Sequence, residues 1–280
     1  MPSVDLHIHT TASDGTVSPA DVVAEAKAAG LSAIAITDHD TVTGIPEALA
    51  AGAECGIEVI PGIELSTRYE GPVHILGYCI DCDNPDLKSE LKGIVDDRDT
   101  RNEKLVSLMR AGGISISYDD MKSRFGEVIG RPHFATVLIE SGLCSSTEEA
   151  FSRFLAKGQK YWLPRTTVPL ERCIEVIRLA GGVPVIAHPF EYSFAKKSLS
   201  GLIDLCVGCG ALGIECRHSS HEPGQMAYLE LLAAERGLLR TGGSDYHGSV
   251  KPDIRIGCGK GLVSVPYFWL EEIKKKASSL

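Results

Sequence analysis

Val4-Asp5-Leu6-His7-Ile8-His9 alternates apolar and polar side chains without a break. An extended chain sends successive side chains to opposite faces, so Asp5, His7 and His9 leave one face of a strand together. Working outward, Ser18 reads as an N-cap, Pro19 as the first helical residue and Asp21 as the acid of the first turn, in a helix that stops at Gly30. The short apolar run Ala33-Ile34-Ala35-Ile36 reads as a buried parallel strand. Residues 45–55 read as a second helix ended by Gly56, and 57–60 as the next strand. Alternation of this kind implies right-handed βαβ units and a parallel sheet.

The pattern breaks near residue 81. From there to 165 the chain is polar and mostly helical, with Asp96-Asp97-Arg98-Asp99 and Arg101-Asn102-Glu103-Lys104 in one exposed stretch. Alternation resumes with a helix over 170–179, a strand over 183–187, a helix over 199–209, a strand over 212–215, a helix over 224–236 and a strand over 238–241. That makes about seven strand–helix units, which suits a closed barrel better than an open sheet. The expected architecture is α/β: a barrel from residues 1–80 and 166–280, interrupted by an inserted helical cap domain at 81–165.

A chain of 280 residues can hold one large α/β domain with an insertion. Its net charge of −9 argues against a general nucleic-acid-binding surface, which needs a Lys/Arg-rich face. A small anionic substrate remains compatible, because bound cations invert the field inside an acidic pocket. The start Met1-Pro2-Ser3-Val4 lacks the basic and apolar runs of a signal peptide, and no stretch is long enough to span a membrane, so a cytoplasmic location is expected. The 9 cysteines read as free thiols; Cys79/Cys82 and Cys206/Cys209 lie too far apart in sequence for a zinc ribbon. Gly257-Cys258-Gly259-Lys260-Gly261 lacks the strand–turn–helix context of a nucleotide fingerprint.

The ionisable residues fall in a pattern. His7 and His9 end the first strand, Asp38-His39 the second, and Glu64 lies just past the third. His74 sits on a strand ending at Tyr78, His188 and Glu215 end two later strands, and Asp245 and His247 follow the last. In α/β barrels this edge builds active sites. Taken singly, His74 is more often a hydrogen-bonded core residue than a ligand, and Asp38-His39-Asp40 reads as well as a turn and helix cap. Their joint occurrence at successive strand ends favours a metal site. Imidazole and carboxylate donors suit Zn, Mn, Fe or Mg, and Glu64 has no rival nearby for bridging two cations.

His7-Ile8-His9-Thr10, Ser13-Asp14-Gly15, Ile36-Thr37-Asp38-His39-Asp40, Pro61-Gly62-Ile63-Glu64, His74-Ile75-Leu76-Gly77-Tyr78, Ile186-Ala187-His188-Pro189 and Gly243-Ser244-Asp245-Tyr246-His247 resemble, in that order, the PHP (polymerase and histidinol phosphatase) family. Gly130-Arg131-Pro132-His133-Phe134-Ala135 is similar to its stand-alone phosphoesterase subgroup. The resemblance implies a distorted (β/α)7 barrel with two or three divalent ions, Mn, Fe or Zn. His7, His9, Glu64 and Asp245 would hold the first, Glu64, His74 and His188 the second, and Asp14, His39 and His247 the third. Only the resemblance makes Asp14 a ligand, since Ser13-Asp14-Gly15 otherwise reads as a turn. It also implies that Arg131 and His133 contact substrate phosphate. His221 falls where relatives carry a pocket histidine, and Arg217 and His218 are less usual there.

The expected activity is hydrolysis of a small phosphate ester (a nucleotide, nucleoside bisphosphate, sugar phosphate or cyclic phosphate) by a metal-bridging hydroxide. His221 or His218 would protonate the leaving group, and Arg217 is a candidate anion contact. Two rivals are a 5′→3′ exonuclease on short RNA or DNA and a non-catalytic scaffold; the second should have lost ligands, and none is lost.

Overall fold

A computed structural model describes residues 2–68, 73–126, 128–164, 168–192 and 196–280, with the side chains of 68 and 196–198 excepted. The chain divides into two units, Met1–Leu91 with Thr167–Leu280, and Lys92–Thr166.

The first unit alternates strands and helices: β1 (Ser3–Asp5), α1 (Pro19–Ala28), β2 (Ala33–Ile36), α2 (Ile45–Cys55), β3 (Glu58–Arg68) and β4 (His74–Tyr78). There α3 (Pro85–Ala111) leads into the second unit, which holds α4 (Tyr118–Phe125), α5 (Arg131–Glu140), α6 (Thr147–Ala150) and a π-helical turn at Phe151–Leu155. The first unit resumes with β5 (Val168–Pro169), α7 (Leu170–Leu179), β6 (Val183–Ile186), α8 (Lys196–Gly208), β7 (Gly213–His218), α9 (Pro223–Arg236), β8 (Leu239–Gly243), β9 (Val265–Pro266) and α10 (Tyr267–Ala277).

Local chemistry explains these boundaries. The Ser18 hydroxyl accepts the Asp21 N–H at 3.1 Å, satisfying one of the orphan donors at the start of α1. Gly56 ends α2 at φ 67°, a left-handed conformation that costs glycine least. On α7, Leu170, Cys173, Ile174, Val176 and Ile177 are buried, which is the spacing of one helix face. Burying each large aliphatic of that face contributes about 1.5–3 kcal/mol.

The strands form a nearly closed, barrel-shaped sheet in the order β8-β7-β6-β4-β3-β2-β1-β9, with β5 pairing β3. The β1–β2, β2–β3, β6–β7 and β7–β8 pairs are parallel. Closure comes from the segment after β1 lying against β8 and the residues that follow it: Leu6 N–H donates to the Gly242 carbonyl (3.2 Å), Asp245 N–H to that of His7 (2.9 Å) and His9 N–H to that of Tyr246 (2.9 Å). β2 and β6 are buried at every position, as strands covered on both faces should be.

Two expectations are corrected. β4 runs antiparallel to both β3 and β6, so the sheet is mixed rather than wholly parallel. The link between β3 and β4 is too short for a crossover helix, and the strand doubles back as a hairpin. The antiparallel course puts His74 at the beginning of its strand, opposite Ser66 of β3. The first domain boundary, expected between 80 and 81, falls at 91/92 inside α3; the second, expected between 165 and 166, lies outside the described residues.

The second unit packs around Leu105, Met109, Ile116, Met121, Phe134 and Leu138, among others, in an apolar core. No helix among the described residues is long and apolar enough to cross a membrane.

Candidate metal centre

Asp5, His7 and His9 are all buried, as the alternation of their segment requires, while Leu6 and Ile8 are fully buried on the opposite face. The β8 backbone comes very close here: a Cβ at Gly243 would stand 2.4 Å from the His7 Cβ. Glycine is therefore what lets strand and histidine meet.

Glu64 is the hub. Its Oε2 lies 3.3 Å from His7 Nε2, 3.2 Å from His9 Nε2 and 3.1 Å from His39 Nδ1. Its Oε1 lies 2.9 Å from His74 Nδ1 and 2.8 Å from His188 Nε2. Each oxygen thus addresses its own set of rings. Asp245 adds an oxygen 3.3 Å from His9 Nε2 and 3.6 Å from His7 Nε2. Asp14 lies 3.4 Å from His247 Nε2 and 3.9 Å from His9 Nδ1. The structure brings all nine of these His, Asp and Glu residues into one cluster. Within it, the donor atoms of His7–His9–Glu64, of His39–Glu64–His74 and of His9–Asp14–His39–His247 lie mutually within 4.8 Å.

The donor set fits divalent cations. His7 Nε2, both nitrogens of His9, His39 Nδ1 and His188 Nδ1 are buried without a hydrogen-bond partner among the described residues. Buried polar atoms are normally paired, so such a concentration calls for a ligand. Burial alone would raise the Glu64 carboxyl; the rings of His39, His74, His7 and His188 outweigh it and hold it well below the usual range. His9 moves the other way, to about 9, because Asp245 and Glu64 outweigh its burial. His39 is dominated by burial and pushed down to about 3. His188 and Asp245 also adopt positive φ, 21° and 55°, a strained backbone that concentrates at functional sites.

A surrounding layer orients these donors. Glu215 Oε1 lies 2.9 Å from His7 Nδ1, and its Oε2 accepts the His188 N–H at 2.7 Å. A carboxylate only accepts, so His7 carries its proton on Nδ1 and turns a lone pair inward at Nε2. His247 Nδ1 donates to the Asp245 carbonyl (2.9 Å), with the same consequence. Asp38 accepts from Thr10 N–H (2.7 Å), the Ser13 hydroxyl (2.6 Å) and the Thr10 hydroxyl (2.8 Å), fastening the loop that carries Asp14. Asp5 accepts from Ser244 N–H at 2.8 Å and Gly257 N–H at 2.7 Å, which fixes the approach of the Asp245 loop. Lys251 pairs with Asp245 Oδ2. Sequence reading placed Glu215 at a strand end without a role; its inward position in the β7 alternation was the available signal. Lys251 left none.

His218 and His221 also arrive here, their ring centroids 5.3 Å apart and His218 5.7 Å from His7. Arg217 does not. Its guanidinium pairs with Glu230 (2.8 Å), donates to the Ser264 carbonyl and lies over the Trp269 ring at 4.7 Å. The expectation of a substrate contact is corrected: a bulge in β7 between Glu215 and Arg217 turns Arg217 toward α9 and α10 and His218 inward. Arg131 and His133 lie in the first turn of α5, in the second unit. His133 Nδ1 accepts the Gly130 N–H at 3.0 Å, and its ring stacks on Phe125.

Comparison with known proteins agrees with this geometry. The PHP domain model matches residues 5–136. The chain is 35% identical, over 87% of its length and 89% of the relative's, to the 5′-3′ exoribonuclease of Haemophilus influenzae. It is 34% identical, over 88% of each chain, to the 3′,5′-nucleoside bisphosphate phosphatase of Chromobacterium violaceum. A solved Chromobacterium violaceum amidohydrolase with bound sulfate and no metal superposes with a TM-score of 0.86 at 31% identity, covering 98% of this chain and 96% of its own. With these relatives and this cluster, the chain belongs to the PHP domain family and is a hydrolase of phosphoesters.

Proposed function

We propose that the chain removes phosphate from a small ester of the nucleotide or nucleoside bisphosphate class, with sugar and cyclic phosphates as the wider substrate range. The observation that carries this reading is Glu64, whose two oxygens address separate sets of histidines. His7, His9, Glu64 and Asp245 would hold one cation; Glu64, His74 and His188 a second; Asp14, His39 and His247 a third. Imidazole and carboxylate donors with no thiolate suit Mn, Fe or Zn. When bound, such ions supply Lewis acidity toward phosphoryl oxygens and toward water.

The chain's own side chains do the remaining work. Glu215 and the Asp245 carbonyl keep His7 and His247 in the tautomer that offers Nε2. Arg131 and His133 are the proposed phosphate contacts. Arg131 is half-buried over the Phe151 ring, 5.9 Å away, and no carboxylate among the described residues pairs with it. Burial lowers its pKa without ending its charge, and a desolvated guanidinium without a counter-ion favours an anion with planar, paired acceptors. His218 and His221 are the proposed catalytic histidines on the leaving-group side.

Processing of short RNA from the 5′ end is a second reading, favoured by the 35% identity to the Haemophilus influenzae exoribonuclease. It would use the same cluster. A panel of adenosine 3′,5′-bisphosphate, AMP, a cyclic sugar phosphate and a short 5′-phosphorylated RNA, each with Mn²⁺ and after chelation, tests both. Metal-dependent phosphate release from the bisphosphate, lost in His9→Ala, supports the first reading. Mononucleotide release from RNA with no turnover of small esters supports the second. Bound metal with no turnover of any member defeats both and leaves a scaffold.

A further inference from the structure

We infer that His218 acts as a neutral hydrogen-bond donor to the substrate through its Nε2–H, and not as a further metal ligand. The inference deepens the phosphoesterase reading above and rests on it for its substrate.

By position alone His218 looks like a ligand. Its donor atom lies within 4.8 Å of those of His7 and Asp245, a grouping of ligand dimensions. The hydrogen bonds say otherwise. The Ser220 backbone N–H donates to His218 Nδ1 at 3.1 Å, and the Ser220 hydroxyl lies 2.7 Å from the same atom. A backbone N–H can only donate, so Nδ1 carries the lone pair and the neutral ring's proton sits on Nε2. An Nε2 bearing hydrogen has nothing to give a cation.

The neighbouring rings are wired the other way. His7 Nδ1 faces the Glu215 carboxylate, His247 Nδ1 the Asp245 carbonyl, and His221 Nδ1 the Cys216 carbonyl at 3.3 Å. These partners are acceptors, so each of those rings keeps its lone pair at Nε2. His218 alone of the four presents an N–H. That Nε2 is buried and lacks a hydrogen-bond partner among the described residues; the nearest carboxylate oxygen, Asp245 Oδ2, stands 3.4 Å away outside hydrogen-bond geometry. The bulge between Glu215 and Arg217 is what allows both Glu215 and His218 to face inward from one strand. A regular strand would have sent His218 to the other face.

A fixed N–H beside the candidate metal ligands His7 and Asp245 suits an ester oxygen that gains charge in the transition state. No proton transfer is involved: the imidazole keeps its hydrogen, because losing it would leave an imidazolate. His221, with its lone pair, is the complementary acceptor.

The test uses the whole protein with ¹⁵N-labelled histidine. Long-range ¹H–¹⁵N correlation, with His218 assigned from the His218→Gln and Ser220→Ala spectra, should show the neutral Nε2–H pattern both without metal and with saturating Zn²⁺. An Nδ1–H pattern, or an Nε2 resonance moved by Zn²⁺ in the manner of a bound nitrogen, overturns the inference. Metal content by elemental analysis should be equal in wild type and His218→Gln; loss of one equivalent also overturns it. With Mn²⁺, His218→Ala should lower kcat about 100-fold, with partial recovery in His218→Gln, whose amide restores a donor. Unchanged kcat in His218→Ala defeats the donor role. If wild type hydrolyses no ester, the function proposed above fails, and the tautomer and metal count still decide whether His218 is a ligand.

Discussion

The barrel end of the first unit and the core of the second bury their residues on opposite principles. In the second unit, Leu105, Met109, Ile116, Phe134 and Leu138 pack apolar surface against apolar surface, and a buried polar group such as Asn102 finds acceptors and donors of its own. The Asn102 amide donates to the Ile129 carbonyl at 2.9 Å and reaches the Tyr118 hydroxyl at 3.1 Å. In the barrel, His7, His9, Glu64 and Asp245 are equally buried, yet His7 Nε2 and both His9 nitrogens have no hydrogen-bond partner among the described residues. Packing of the first kind stabilises a fold. Burial of the second kind costs stability, and a chain retains it where a ligand completes it.

The largest expected effect breaks the first half of this contrast. Phe134 is fully buried in the second unit's core, so Phe134→Ala should lower the unfolding free energy by about 3–5 kcal/mol, read by chemical denaturation. Metal content per folded molecule should not change. A loss below about 1 kcal/mol would mean that this core relaxes freely around the void. The second half is broken by Glu64→Gln, which keeps shape and removes charge at the hub. Phosphate release should fall roughly 1000-fold, the equivalent of about 4 kcal/mol of charge stabilisation. Bound metal should drop with it, by elemental analysis, while the circular dichroism spectrum stays that of the folded protein. Full metal content in Glu64→Gln would remove the bridging role.

Much of this contrast was legible in the chain. The alternation through His7 and His9 fixes a shared face, although the strand expected to carry them, β1, ends at Asp5, and the apolar runs at 33–36 and 183–187 read as covered strands. Three things were not legible, each for a physical reason. The reversal of β4 against β3 leaves no periodic signal in either strand. Asp14 sits in a turn whose ligand geometry is set by Asp38, 24 positions on, through Thr10 and Ser13. The separation of Arg217 from His218 depends on one bulge, and adjacent residues in a strand do not reveal which of them a bulge will turn inward. Local pattern finds elements; irregularities and long-range hydrogen bonds decide where individual side chains finish.

A smaller change sharpens the comparison from inside the site. Glu215 makes no contact that requires a cation, yet it holds both His7 Nδ1 and the His188 N–H. Glu215→Gln should weaken metal binding about 10–100-fold, by competition with a chelator, because an amide can present its N–H to His7 and favour the wrong tautomer. Unaltered affinity would show that ring orientation is set by packing alone.

The smallest effect belongs to the second unit's surface. Arg124 and Glu140 form a two-point ion pair, with Arg124 Nη1 2.6 Å from Glu140 Oε2, and both side chains are about half exposed. The geometry is as good as any pair in the barrel, and water is the difference. Solvent screens the attraction and already solvates each partner well, so Arg124→Ala should cost no more than about 1 kcal/mol. A larger loss in denaturation at ordinary salt, falling as salt is raised, would show that this pair is shielded in solution. It would narrow the contrast between the two regions from one of principle to one of degree.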